Sequence, residues 1–120
     1  MRNRNIAILK KIIQYSKEIS GTIERFELDY DKFKNDYVVK NAIAMCILQI
    51  GELAGKLTDE FKSAYNKMKW RDIVSIRNRT AHAYGTMDTE ILWKTATDKI
   101  PGLKDYCENI INEIETKAGK

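Results

Sequence analysis

The sequence predicts an all-α protein, a bundle of four to five helices with short connectors. Three observations predict it. Apolar residues recur every three or four positions through most of the chain, the period of a helix that buries one face. The 120 residues include one proline and six glycines, so long helices meet few breaks. No stretch alternates apolar and polar residues as a half-buried strand does. At this length residues 1–120 read as a single helical domain with its own core.

The first helix is expected from near Asn3 to near Leu28. Ile6, Leu9, Ile12, Ile13, Ile19, Ile23 and Phe26 form its stripe, with Lys10, Lys11, Lys17, Glu18 and Arg25 off it. Asp29 to Asp36 reads as a polar connector tethered by Tyr30 and Phe33, with Asn35 as N-cap of the next helix. That second long helix, about Asp36 to Leu57, is the most apolar segment. Val39, Ile43, Cys46, Ile47, Ile50, Ala54 and Leu57 make one face, and Val38, Ala42, Met45 and Leu48 broaden it. Such a helix is central, touching several neighbours or a second subunit. Gly51 and Gly55 share one side, where another helix can approach closely; Glu52 between them reads as a solvated rim residue. Thr58-Asp59-Glu60 marks the start of a short helix through Tyr65, with acids at the favourable end of its dipole.

A helix is then expected from Trp70 into Tyr84. At about 100° per residue, Trp70, Ile73, Val74, Arg77, Ala81 and Tyr84 share a side. Trp70, Ile73 and Val74 make an apolar stripe with Arg77 in its register, and an arginine there must be paired or open onto a cleft. The neighbouring stripe carries Arg71, Ser75, Asn78 and His82, so Asn78 can reach the His82 ring. Gly85 is a helix stop and Asp88 a cap for Thr89 to Lys99, where Leu92, Trp93 and Ala96 are buried. Pro101 interrupts the helix and opens a last one, with Leu103, Tyr106, Cys107, Ile110 and Ile114 as its stripe.

Composition narrows the chemistry. The net charge of +4 is compatible with an RNA or phosphate partner. Lys67, Lys69, Arg71, Arg77 and Arg79, preceded by Lys62, concentrate positive charge, read either as a solvated face or as a rim that attracts RNA. Cys46 and Cys107 make no disulfide framework and fit a reducing, cytoplasmic setting as small core fillers. No uninterrupted apolar run suggests a signal peptide or a membrane span. One histidine and two scattered cysteines give no zinc site, and no Walker-type loop, GxGxxG or GxSxG is present. No metal and no cofactor are therefore expected, and any catalysis falls to His82, Arg77 and their neighbours. An arginine beside a titratable imidazole suits a phosphodiester: the first matches phosphate oxygens with a fork of donors, the second exchanges protons near neutral pH. Alternatives are a satisfied structural histidine, an Arg77 ion pair with Glu52 or Asp88, and a Tyr84 that only packs.

Arg77-Asn78-Arg79-Thr80-Ala81-His82 matches the R-x-x-x-x-H signature of HEPN-domain ribonucleases, and Ala83-Tyr84 extends it to R-x-x-x-x-H-x-Y. The chain thereby resembles the HepT branch. Ile50-Gly51-Glu52-Leu53, Trp70 seven residues before Arg77, Trp93, and Ile100-Pro101 with Leu103 carry the resemblance across most of the chain. It implies a HEPN-like fold and a homodimer in which two motifs line one cleft. Arg77 and His82 would be catalytic, Asn78 would orient the imidazole, and Arg71, Arg79 and Lys69 would form the rim that attracts RNA. It further implies a type VII-like toxin, a metal-independent endoribonuclease with no DNA specificity. Its partner would be an MntA-like nucleotidyltransferase antitoxin that silences it by AMP modification of Tyr84. The alternative is a non-catalytic HEPN module that docks with, or presents substrate to, a nucleotidyltransferase. Arg77 and His82 stand about 140° apart on an ideal helix. They converge on one phosphate through side-chain reach, distortion at the helix end or a second subunit.

Overall fold

The molecule is organised around two long helices, α1 (Arg2–Arg25) and α3 (Tyr37–Gly55), packed side by side in a computed structural model that describes residues 2–76 and 89–118. A third long helix, α7 (Ile100–Ala118), lies on the other flank of α1. The short helices α2 (Tyr30–Asn35), α4 (Asp59–Ala64), α5 (70–76) and α6 (Thr89–Lys94) close the bundle, and no strand occurs among the described residues. The expected Gly85 stop and Asp88 cap lie outside the described residues.

The core follows the predicted stripes. Leu9, Ile12 and Ile19 of α1, Ile43, Ile47 and Ile50 of α3, and Leu103 and Cys107 of α7 are fully buried. Phe26 departs from its stripe. It lies past the end of α1, half exposed, with the Arg25 guanidinium 5.3 Å from its ring centre. Helix α1 ends three residues before Leu28 in a Schellman turn. Leu28 N–H donates to Ile23 C=O (2.9 Å) and Glu27 N–H to Glu24 C=O (3.2 Å), with Glu27 at φ 48°.

Three local expectations are corrected. The Asp29–Asp36 connector contains helix α2, because the Asp29 side chain accepts from Lys32 N–H at 2.9 Å and Phe33 is buried. Asp36 caps α3, accepting from Val38 N–H at 3.0 Å; Asn35 instead donates its side-chain amide to Asp31 C=O at 2.8 Å. Asp36 wins because its side chain stands at the extended residue before the helix, the geometry a cap requires. Pro101 does not separate two helices. Helix α6, a π-helical segment (Thr95–Lys99) and α7 form one unbroken rod. A proline has no N–H and clashes with the carbonyl four residues back. The wider π turn, in which Ile100 N–H donates to Thr95 C=O, absorbs both defects.

Helix α3 is buried on one side only. Val39, Ile43 and Ile47 are inside, while Tyr37, Val38 and Met45 are 72%, 61% and 56% exposed. By length and mean composition α3 could cross a membrane, although Lys40 and Glu52 interrupt its apolar run. It is instead the central helix of the bundle, packed on α1 and α2. Gly51 is buried, but a Cβ at exposed Gly55 would touch only Val74 Cγ1 at 3.9 Å, so no close helix approach depends on Gly55.

Candidate functional site

The described residues on either side of positions 77–88 are packed into the bundle. On the N-terminal side, α5 buries Trp70, Ile73 and Ile76. The Trp70 indole N–H donates to Tyr65 C=O at 2.9 Å, and its ring packs 6.3 Å from Phe61 and 6.1 Å from Tyr106. Ile76 takes the deep place expected of Val74, which is half-buried beside Gly55. On the C-terminal side, Thr89 shares a hydrogen bond with the Tyr30 hydroxyl at 3.0 Å, and Phe33 packs 5.1 Å from Trp93. Helix α2 thus clamps the start of α6. Arg77, Asn78, Arg79, His82 and Tyr84 themselves lie outside the described residues.

Helix α5 begins against the usual chemistry of helix starts. Lys69 C=O accepts the N–H of Asp72 at 3.0 Å and of Ile73 at 3.2 Å, so Lys69 is the capping residue. Its ammonium can accept no hydrogen bond from the orphan N–H groups, and Arg71 adds a second cation in the first turn. Cations at a helix N-terminus each cost about 0.3–1 kcal/mol, which Asp72 offsets only in part.

These cations line an open cleft of about 970 Å³ between α4 and α5. Asp59, Lys62, Ser63 and Asn66 contribute one wall; Lys69, Arg71, Asp72 and Ser75 contribute the other. Lys62 Nζ lies 3.9 Å from Asp59, a loose pair. Lys69 and Arg71 are exposed and form no ion pair with any described residue. The structure therefore brings Lys69 and Arg71 of the expected rim together with Lys62, which stands apart from them in the sequence. The polar stripe Asp59, Lys62, Ser63 and Asn66, spaced by three, one and three, was the available signal for that second wall.

Neither cysteine offers a nucleophile. Burial pushes the half-buried Cys46 thiol up to about 11, with Glu18 adding to it, and the buried Cys107 thiol up to about 12, with Glu108 adding to it. Both are protonated at neutral pH, where a thiol is a poor nucleophile.

Among its described residues the chain is an all-helical bundle, and the R-x-x-x-x-H-x-Y run follows its fifth helix in the sequence; these are features of HEPN proteins. The family described as Ribonuclease HepT-like matches residues 6–110, and the chain belongs to it. Two candidate RNases of Methanocaldococcus jannaschii, MJ0125 and MJ1216, are each 30% identical over 118 residues. Those matches cover 98% of this chain and 100% and 96% of the respective relatives. A Thermococcus cleftensis protein named "Probable ribonuclease HepT" is 29% identical over 101 residues, 80% of this chain and 92% of its own. No solved structure matches the chain.

Proposed function

We propose that the protein is a metal-independent endoribonuclease and the toxin of a toxin–antitoxin pair. The observation that carries this reading is the R-x-x-x-x-H-x-Y run, Arg77 to Tyr84, inside the stretch that matches the HepT-like family. His82 takes the proton of an RNA 2′-hydroxyl. The 2′-oxygen attacks the adjacent phosphorus, the 5′-oxygen leaves and takes up a proton, and a 2′,3′-cyclic phosphate remains. Arg77 binds the phosphate oxygens as negative charge builds on them, and Asn78 orients the imidazole. DNA lacks the attacking hydroxyl. This chemistry needs no metal and no cofactor, and it is carried out in the cytoplasm.

The working form is a homodimer. The exposed apolar side chains Tyr37, Val38 and Met45 on α3 support it, since a two-fold contact covers such a patch on both copies at once. The partner is an MntA-like nucleotidyltransferase that transfers AMP from ATP to the Tyr84 oxygen, which gives up its proton as pyrophosphate leaves. The bulk of AMP and its phosphate then block RNA and neutralise cleft cations.

RNA cleavage by the purified protein in EDTA tests the reading. His82→Ala and Arg77→Ala are each expected to lower the rate by about a hundredfold or more. Folded His82→Ala protein that cleaves RNA at the parental rate removes His82 from the mechanism. Absence of cleavage by the parent leaves the non-catalytic HEPN module. Intact mass after co-expression with the cognate transferase reports AMP addition, expected in the parent and lost in Tyr84→Phe.

A further inference from the structure

We propose that the α4–α5 cleft is a nucleotide subsite that holds the single-stranded RNA flanking the scissile phosphate and favours particular bases there. The inference rests on the ribonuclease reading and extends it from the motif to a surface that the motif does not contain.

Three features carry it. The first is continuity. The cleft wall runs along α5 from Lys69 to Ser75, about 9 Å of helix at 1.5 Å per residue, and Ser75 stands two residues before Arg77. In the chain, the cleft wall therefore leads up to the motif. The second is charge. Lys62 approaches from α4 while Lys69 and Arg71 approach from α5, so cations flank the opening from both walls. Lys69 and Arg71 have no ion-pair partner among the described residues, and they occupy a helix start where positive charge is unfavourable. Three cations stand against the carboxylates of Asp59 and Asp72, and a phosphodiester backbone matches the remaining positive charge.

The third feature is the mixture of groups. A track for phosphates alone needs only cations. Here Asp59, Asn66 and Asp72 stand among them. An amide offers both donors and acceptors, and a carboxylate accepts from a base amino group or a ribose hydroxyl. Single-stranded RNA is recognised through such contacts to exposed base edges. The cleft is open to solvent, and its volume of about 970 Å³ leaves room for a nucleotide at the surface. Lys62, Lys69 and Arg71 thus anchor backbone phosphates, and Asp72 and Asn66 discriminate among bases.

The test measures binding, separate from cleavage. Fluorescein-labelled single-stranded hexaribonucleotides are titrated into His82→Ala protein by anisotropy over a range of salt. Adding Lys69→Ala and Arg71→Ala together is expected to weaken binding about tenfold or more. The log–log salt slope should become shallower by about 1.4, or about 0.7 per lost cation on a single strand. Lys62→Ala, on the opposite wall, should reduce the slope by about 0.7. Asp72→Asn should alter the ranking of A, C, G and U hexamers.

In His82 protein, the double substitution should penalise kcat/KM more for a hexanucleotide than for a dinucleotide. An equal penalty on both overturns the subsite, because the cations then act at the cleavage centre itself. Unchanged affinity and slope in folded variants overturn it outright. So does loss of a protein partner with RNA binding intact, which would make the cleft a protein-docking surface. If His82→Ala still cleaves RNA while the cleft variants lose binding, the catalytic assignment fails and the subsite stands.

Discussion

Two helix starts, Thr58 and Lys69, lie eleven residues apart and are built in opposite ways. At α4, the Thr58 hydroxyl accepts Phe61 N–H at 3.1 Å, and Asp59 and Glu60 occupy the first turn. Buried Asn5 completes that start. Its side chain donates to the Thr58 hydroxyl and accepts Thr58 N–H, each at 3.2 Å, tying α1 to α4. At α5, a lysine stands at the cap and an arginine comes two residues later. The first arrangement satisfies donors and complements the dipole; the second does neither. Tertiary contacts hold α5 in place: the buried Trp70, its hydrogen bond to Tyr65, and the burial of Ile73 and Ile76. A start that local chemistry disfavours and packing imposes is characteristic of a surface kept for function. Lys69 and Arg71 are the cations that stand at that start.

Either side of this contrast can be perturbed. Trp70→Ala should have the largest effect, about 3–5 kcal/mol of stability by urea unfolding, since α5 has little else to fix its start. A loss below about 1 kcal/mol would mean that the helix is held elsewhere. Thr58→Ala should cost about 1–2 kcal/mol through the lost cap, plus the penalty for leaving the buried Asn5 amide short of a partner. In an Asn5→Ala background the same substitution should cost less, and strict additivity in that double-mutant cycle would deny the reciprocal pair.

Lys69→Asp tests the difference most directly. It gives α5 the kind of cap that α4 already has. Stability should rise by about 1 kcal/mol while affinity for single-stranded RNA falls. A gain in stability with no loss of RNA binding would show that Lys69 serves neither purpose.

The smallest effect at neutral pH belongs to the cysteines. Their folded pKa values are raised to about 11 and about 12, above the ordinary value of 9.0. The neutral thiol is thus favoured by folding. This contribution is fully present below about pH 9 and is lost as pH rises through the folded values. Unfolding free energy should therefore be insensitive to these groups from neutral pH to about pH 9 and fall above it. Cys46→Ala should flatten part of that alkaline decline.

Much of this molecule was legible in its residues taken in order. The helical class, the buried stripes of α1, α3 and α7, and the Thr58 start are local matters. They depend on spacing of three and four and on the chemistry of one cap, which no distant neighbour needs to supply. The R-x-x-x-x-H-x-Y run is likewise a property of the linear chain. Tertiary structure decided the rest. Asp36 rather than Asn35 caps α3 because of where the chain turns extended. Pro101 bends nothing apart because the backbone before it widens to a π turn while Ala96, Ile100 and Leu103 stay buried. Val38 and Met45 are as apolar as Val39 and Ile43, yet stand outside because α1 and α2 cover only one side of α3. The cleft joins Lys62 to Lys69 and Arg71 because two helices meet there. Periodicity specifies which residues share a face; only packing specifies what that face meets.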